Sequence, residues 1–344
     1  MKGLCVLSVI IRLIRLIRVI CVLQLFIFLK LSSPLFFTMA LASRKNVYVG
    51  IGLAVLAVIL WSGNFIIARG VIKQIQPVSL AFYRWLIASL LIMPFAIRSF
   101  KTEWAVTRKS WRYLFWVSLT GIALFNTCVY IAAHYTTAIN LALIGTTSSP
   151  IFAIILARIF LKEKIGWLKM MGLALCISGV VFLLTKGDLQ NFLTFRFTAG
   201  DGWVLLAAFF FAVYNTLVRK KPAGISSINY LFVTFTLGSV LLFPFYLWET
   251  MHASPVQWNI NLFWMILYLG LAASVISYLC WNIAISKLGA GRTALFGNLI
   301  PVFASIEAAF LLGEQFTRVH IVSMLLVFAG IIIANWKIVS IRSS

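Results

Sequence analysis

The sequence predicts an all-α integral membrane protein, ten transmembrane helices arranged as two inverted five-helix repeats. Three observations carry that prediction. The chain is 62% hydrophobic and only 10% charged, where soluble domains carry about 25% charge, so lipid is the medium able to cover its apolar surface. Ten apolar segments follow one another, each able to cross a hydrocarbon core of about 30 Å. The two halves also repeat at a fixed offset of 151 residues: Pro150 with Pro301, Phe152 with Phe303, Ala153 with Ala304, Glu163 with Glu314 and Gly179 with Gly330. Self-similarity of this length marks a duplicated unit.

In chain order, residues 1–46 form a basic N-terminal extension. Arg12, Arg15 and Arg18 precede a run, Val19 to Leu29, too short to span. Three readings stay open: translation starting at Met39, an amphipathic interfacial helix, or a signal ending at Ala40-Leu41-Ala42. The first repeat, 47–185, holds apolar segments at 47–68, 78–98, 112–131, 137–160 and 167–184. The second, 200–338, holds 201–218, 229–248, 262–284, 291–312 and 319–337. Gly172 with Cys176, and Gly270 with Ser274, form small-xxx-small faces that let helices approach closely. The duplication reaches further, since Pro94-Phe95 matches Pro244-Phe245 at offset 150 and Asn64 matches Asn215 at 151.

The net charge of +22 is not a nucleic-acid signal, because its Lys and Arg sit in short clusters between apolar segments. With the N-terminus cytoplasmic, 18 of them fall in inner loops and five in outer loops. That bias places both termini inside. Five segments is an odd number, so the second repeat enters from the opposite face. Inverted repeats build a site at their interface near the midplane and alternate its access. The five cysteines have no metal-ligand spacing. No catalytic set, phosphate loop or cofactor motif is present, so no enzyme chemistry, metal or cofactor is expected.

Charge within a span needs a partner or an aqueous cavity. Arg84 and Glu307 are the two charges well inside the spans, at similar depth from the outer face, which makes them a candidate gate or substrate contact, paired directly or through water. The competing reading is structural, with each capping backbone or snorkelling. Glu307 stands where the first repeat has Leu156. A carboxylate there can also carry a proton, so protons are a candidate coupling ion. Asn64, Asn126, Tyr130, Tyr214, Tyr278, Asn282 and Asn298 can hydrogen-bond a solute or a neighbouring helix, and Trp61, Phe125, Trp281 and Phe296 can form apolar walls. Pro150 and Pro301 are expected to kink their helices.

The strings Leu60-Trp61-Ser62-Gly63-Asn64-Phe65, Phe82-Tyr83-Arg84-Trp85 and the two Pro-x-Phe-Ala cores ending in Lys-Glu and Gly-Glu resemble the drug/metabolite transporter superfamily, EamA type, over residues 47–337 with two tandem EamA units. The resemblance implies an inner-membrane carrier of small organic solutes (amino acids, nucleoside-like metabolites or drug-like molecules), often outward. It also implies a central cavity lined by the first, third, fourth, sixth, eighth and ninth spans. A lipid or lipid-linked-sugar flippase on the same fold is the alternative. The assembly is expected to be a monomer or homodimer.

Overall fold

Within lipid, a backbone N–H or C=O has no water to bond, so an apolar segment must satisfy itself as a helix. The computed structural model describes residues 39–160, 166–185, 187–188, 198–218, 220–288, 293 and 296–340. Residues 1–38, and with them most of the N-terminal extension, lie outside the described residues. The elements are α1 (Met39–Gly70), α2 (Pro77–Thr102), α3 (Trp104–Lys109), α4 (Trp111–Ser118), α5 (Phe125–Ala132), α6 (Ala138–Phe160), α7 (Trp167–Leu184), α8 (Ala199–Val218), α9 (Ser227–His252), α10 (Ile260–Gly270), α11 (Ser277–Leu288), α12 (Ile300–Leu312) and α13 (Arg318–Ser340). No strand occurs among the described residues.

Six helical stretches are long and apolar enough to cross a membrane: Asn46–Gly70, Pro77–Thr102, Trp111–Ala132, Ala199–Val218, Ser227–His252 and Ile260–Ala284. Shorter apolar helices at Met170–Leu183, Ile300–Leu312 and Arg318–Gly330 follow the same pattern. The protein is a membrane protein.

Two of these stretches are not uniform. A π-helical turn, Leu119–Leu124, joins α4 to α5, and another, Leu271–Ile276, joins α10 to α11. Leu119 and Leu271 are 152 residues apart, so the wide turns occupy matching places in the two halves.

The halves meet through antiparallel pairs of matching helices. Helices α2 and α9 are fastened to each other at their ends. Glu249, near the end of α9, accepts from Val78 N (3.1 Å), Ser79 N (2.7 Å) and Ser79 Oγ (2.7 Å) at the start of α2. Glu103, just past α2, accepts from Ser226 N (2.9 Å) and Asn229 Nδ2 (2.6 Å) at the start of α9. Each helix start exposes unpaired N–H groups and positive partial charge, which a carboxylate satisfies.

The α7–α13 pair shows the symmetry residue by residue. Gly330 packs against the Gly172 carbonyl, and Gly179 against Ser323 and Val327. At the 151 offset Gly172 matches Ser323 and Gly179 matches Gly330, so one contact is made twice, as in a two-fold interface. Cys176 and Val327 match each other and meet at the centre, where the Cys176 thiol lies 3.6 Å from the Val327 carbonyl. The Gly172/Cys176 face thus packs closely, as its small residues permit.

The remaining packing also comes in matched pairs. Helix α1 lies against α11 and α12, while α8 lies against α5 and α6. A third carboxylate closes the α12–α6 contact. Gly313 adopts a left-handed φ of 69°, which ends α12 and turns the chain back. Glu314 then accepts from Ala138 N (2.8 Å) and Ile139 N (3.1 Å) at the start of α6.

Two consequences can be measured by thermal unfolding in detergent. A Cβ on Gly330 would lie 2.5 Å from the Gly172 carbonyl oxygen, whereas one on Gly52 would meet nothing within 4 Å. Gly330→Ala should destabilise by about 1–3 kcal/mol and Gly52→Ala should not, and equal effects would refute the close α7–α13 contact. The second concerns Glu103. Its partial burial would raise its carboxyl, but hydrogen bonds from Asn229 and Ser226 and the charge of Lys221 outweigh this and hold it below its ordinary value. Its contribution is therefore present above the ordinary carboxylate range and lost as pH falls through the lowered value. Glu103→Gln should melt a few degrees lower than the parent at neutral pH, with the gap closing below about pH 4. An unchanged gap would count against a charge-dependent cap.

Candidate functional site

Arg84 sits on the buried face of α2, with Leu80, Ala81 and Ala88 along the same stripe. It is 3% exposed. A guanidinium has five N–H groups and cannot shed its charge, so burial requires acceptors. Nε donates to Ser274 Oγ at 2.9 Å. Nη1 faces Asn64 Oδ1 (2.6 Å), Asn126 Oδ1 (2.7 Å) and Tyr130 Oη (3.0 Å), and Nη2 donates to the Ala273 carbonyl at 3.2 Å. Tyr130 also donates to Asn64 Oδ1 at 2.8 Å. Ser274 and Ala273 belong to the π turn before α11, so that turn presents two of the acceptors. Hydrogen bonds to a charged donor contribute about 1.5–3 kcal/mol each, which offsets a desolvation cost of several kcal/mol. The cluster joins α1, α2, α5 and the α10–α11 junction in one network of neutral oxygens.

Glu307 lies on α12, against the other side of α1. Ser62 Oγ is 2.7 Å from its Oε1 and 2.7 Å from the Ile59 carbonyl. One hydroxyl hydrogen serves only one of those acceptors at a time. Glu307 Oε2 is buried and has no hydrogen-bond partner.

The direct Arg84–Glu307 pair expected from their equal depth is therefore not formed. The reason is angular. Asn64 and Ser62 are two positions apart on α1, about 200° around a helix with 3.6 residues per turn. One faces Arg84 and the other Glu307, with the α1 backbone between them.

Aromatic rings extend from both groups. Trp61 packs edge-on to Tyr278 (centroids 5.4 Å apart) and tilted on Trp281 (4.9 Å). Tyr278 meets Phe235 at 5.7 Å, and Phe235 meets Trp85 at 4.9 Å. On the matching side Phe125 stacks on Phe211 (4.7 Å) and Phe211 on Tyr214 (5.9 Å), and Tyr214 interacts with Tyr278. Phe296 packs with Trp281 against Leu53, Ala54 and Ala57. Tyr214 rests directly on Gly121 in the first π turn, where a Cβ would collide with the ring.

Of the residues expected at the site, Arg84, Asn64, Asn126 and Tyr130 come together in the cation cluster. Trp61, Tyr278 and Tyr214 form the aromatic set, and Glu307 stands across α1. Asn282 is half-buried on α11 beside Trp281, outside the cluster. Pro301 is buried in the first turn of α12, where its missing N–H costs nothing, after a tight turn at Gly297–Leu299. The side chains of Asn298 and Pro150 lie outside the described residues. Ser62, Ser274, the Ala273 carbonyl and Tyr268 were not anticipated. Tyr268 donates to the Leu60 carbonyl at 3.1 Å and lies over Gly63.

At the far end of α1, Arg69 Nη1 donates to the Ala133 carbonyl at 2.7 Å, joining α1 to the end of α5. Burial and the Arg69 charge hold the neighbouring His134 below its ordinary value, against the opposing pull of Glu249.

The model of the EamA-like transporter family matches residues 48–185 and again 198–336. An uncharacterized transporter from Archaeoglobus fulgidus is 29% identical over 286 residues, covering 83% of this chain and 96% of its own. The uncharacterized transporter YyaM of Bacillus subtilis is 26% identical, covering 79% and 88%. A protein of Streptantibioticus cattleyicolor named "Probable terminal-alkyne amino-acid exporter" is 27% identical over 191 residues, covering 54% of this chain and 61% of its own. A protein solved by crystallography superposes with a TM-score of 0.58 at 16% identity, covering 87% and 99%, a likeness of fold.

If Arg84 and Glu307 are separated by α1, exchanging their charges cannot restore a pair. Arg84→Glu and Glu307→Arg should each lower the detergent melting temperature, and their effects should add within about 0.5 kcal/mol. A double variant clearly more stable than either single one would restore the direct pair.

Proposed function

The chain belongs to the EamA-like transporter family, and from that premise we propose that it is a secondary carrier of small organic solutes, an exporter or exchanger working by alternating access. Its ten spans form two inverted five-helix repeats in the cytoplasmic membrane, with both termini cytoplasmic, as the 18-to-5 excess of inner Lys and Arg favours. The observation that carries this reading is the doubled contact between halves. Gly172–Gly330 and Gly179–Ser323 are one packing arrangement made twice across antiparallel partners. A frame of that kind can exchange the conformations of its two halves, and the exchange moves the opening from one face to the other.

The solute site lies where α1, α11 and α12 meet. Trp61, Tyr278 and Trp281 supply aromatic wall, and Glu307 supplies a polar anchor, in keeping with small-molecule sites generally. Asn282, half-buried beside Trp281 on α11, adds hydrogen-bonding capacity. The Arg84 cluster is the rigid floor against which α1 is held. Amino acids and other small metabolites are the substrate class, a choice supported by the name of the Streptantibioticus relative. Protons are the coupling ion. Ser62, with two acceptors for one hydrogen, can turn toward a charged Glu307 or toward Ile59 when Glu307 carries a proton itself.

The test is transport by the purified chain in proteoliposomes, with labelled amino acids, nucleosides and aromatic drug-like solutes, with and without a pH gradient. Saturable movement that shows counterflow, and that rises with the gradient, is expected for at least one class. Movement of labelled lipid alone would overturn the carrier reading.

A further inference from the structure

The acidic side chains that hold this fold together have much of their hydrogen-bonding capacity occupied. Glu103, Glu249 and Glu314 accept from the first N–H groups of α9, α2 and α6. Asp201 accepts from Thr198 N and Oγ1 and closes the start of α8. Glu307 is different. It receives no backbone N–H, one oxygen shares a single serine hydrogen, and the other is buried with no partner. Its nearest buried cation, Arg84, faces the opposite side of α1 and spends its N–H groups on neutral oxygens. A carboxylate withdrawn from water without a cation is costly, so Oε2 suits a positively charged occupant.

The surroundings describe that occupant. Trp61 precedes Ser62 on α1, and its ring meets Tyr278 and Trp281. Tyr268 lies over Gly63, next to Ser62 on α1. These side chains are half-buried, neither packed away nor fully open. Aromatic faces attract organic cations, and a free carboxylate oxygen accepts from an N–H donor with the added strength of opposite charge. One carboxylate and one hydroxyl are too few oxygens for a dedicated calcium or magnesium site.

We propose that Glu307 is the anchor for the protonated amine of the solute, with an ammonium N–H donating to Oε2 and the solute's apolar part against Trp61, Tyr278 and Trp281. The purpose of the site rests on the carrier reading, but its binding step does not.

The experiment uses the purified full chain in detergent and two probes of nearly equal shape, labelled 2-phenylethylammonium and neutral 2-phenylethanol. The amine should bind at least about tenfold more tightly than the alcohol. Glu307→Gln should erase that ratio while leaving the weak binding of the alcohol and the melting temperature nearly unchanged, and Glu307→Asp should keep part of it. Equal binding of the two probes to the parent chain, or a ratio that survives in Glu307→Gln, overturns the proposal. The same probes in proteoliposomes separate the two readings. Amine that binds through Glu307 and never crosses leaves the site standing and removes the carrier. Amine that crosses equally well with Glu307→Gln leaves the carrier standing and removes the site.

Discussion

A guanidinium taken out of water must find acceptors for its N–H groups inside the protein, and Arg84 finds them on three other segments. Asn64 comes from α1, Asn126 and Tyr130 from α5, and Ser274 with the Ala273 carbonyl from the turn between α10 and α11. None of these carries a negative charge, so the cluster is held by geometry and count rather than by ion pairing. The π turn between α10 and α11 presents Ala273 and Ser274 to that cation, although the matching turn at Leu119–Leu124 forms without one. One buried guanidinium thus ties α1, α2, α5 and the α10–α11 junction together.

The ends of the helices obey the same rule by other means. A helix start in a membrane protein exposes N–H groups where water is scarce, and here carboxylates from the opposite half meet them. Glu249 serves α2, Glu103 serves α9 and Glu314 serves α6. Each of these caps crosses from one half to the other. The acidic residues are few, seven in the whole chain, and those described in such caps fasten the halves near the two faces, leaving the middle to apolar packing and to Arg84. On the carrier reading that division matters, because the halves then move against each other. Contacts at the ends can be exchanged one at a time, whereas a contiguous charged interface would have to be broken at once.

Much of the frame was legible from spacing. The 151-residue offset joins Gly179 to Gly330, and those glycines prove to sit in one doubled contact. Pro94 and Pro244, matched at offset 150, stand inside the antiparallel pair α2 and α9. The Gly172/Cys176 face was readable because small residues at i and i+4 have one evident use in lipid. The site was legible in its residue types but not in its connections. Depth along a span follows from counting at 1.5 Å per residue, so Arg84 and Glu307 could be set at one level. The azimuth of α1 between them depends on how whole helices pack, and no local pattern records it. The π turns are likewise silent in sequence, since Leu119–Leu124 and Leu271–Ile276 look like ordinary helix. The capping role of Glu103 and Glu249 was hidden for a related reason: each partner lies more than a hundred residues away.

The places where the repeat fails are the last step. A frame whose halves make the same contacts is nearly balanced between its two openings, so symmetric residues cannot choose a direction or a cargo. Arg84 corresponds at offset 150 to Thr234, and Glu307 at offset 151 to Leu156. Each charge thus lacks a counterpart in the other half. On the carrier reading, Arg84 stiffens the attachment of α1 to α2 and has no equal across the interface, which makes the two openings unequal in energy. Glu307 puts a vacant acceptor on the face of α1 that Arg84 does not hold. A solute bound there touches α1 and α12 together and can bias their relation, because its affinity differs between the two arrangements. On the carrier reading, direction and recognition then come from charges that duplication did not copy, and the copied residues supply the motion.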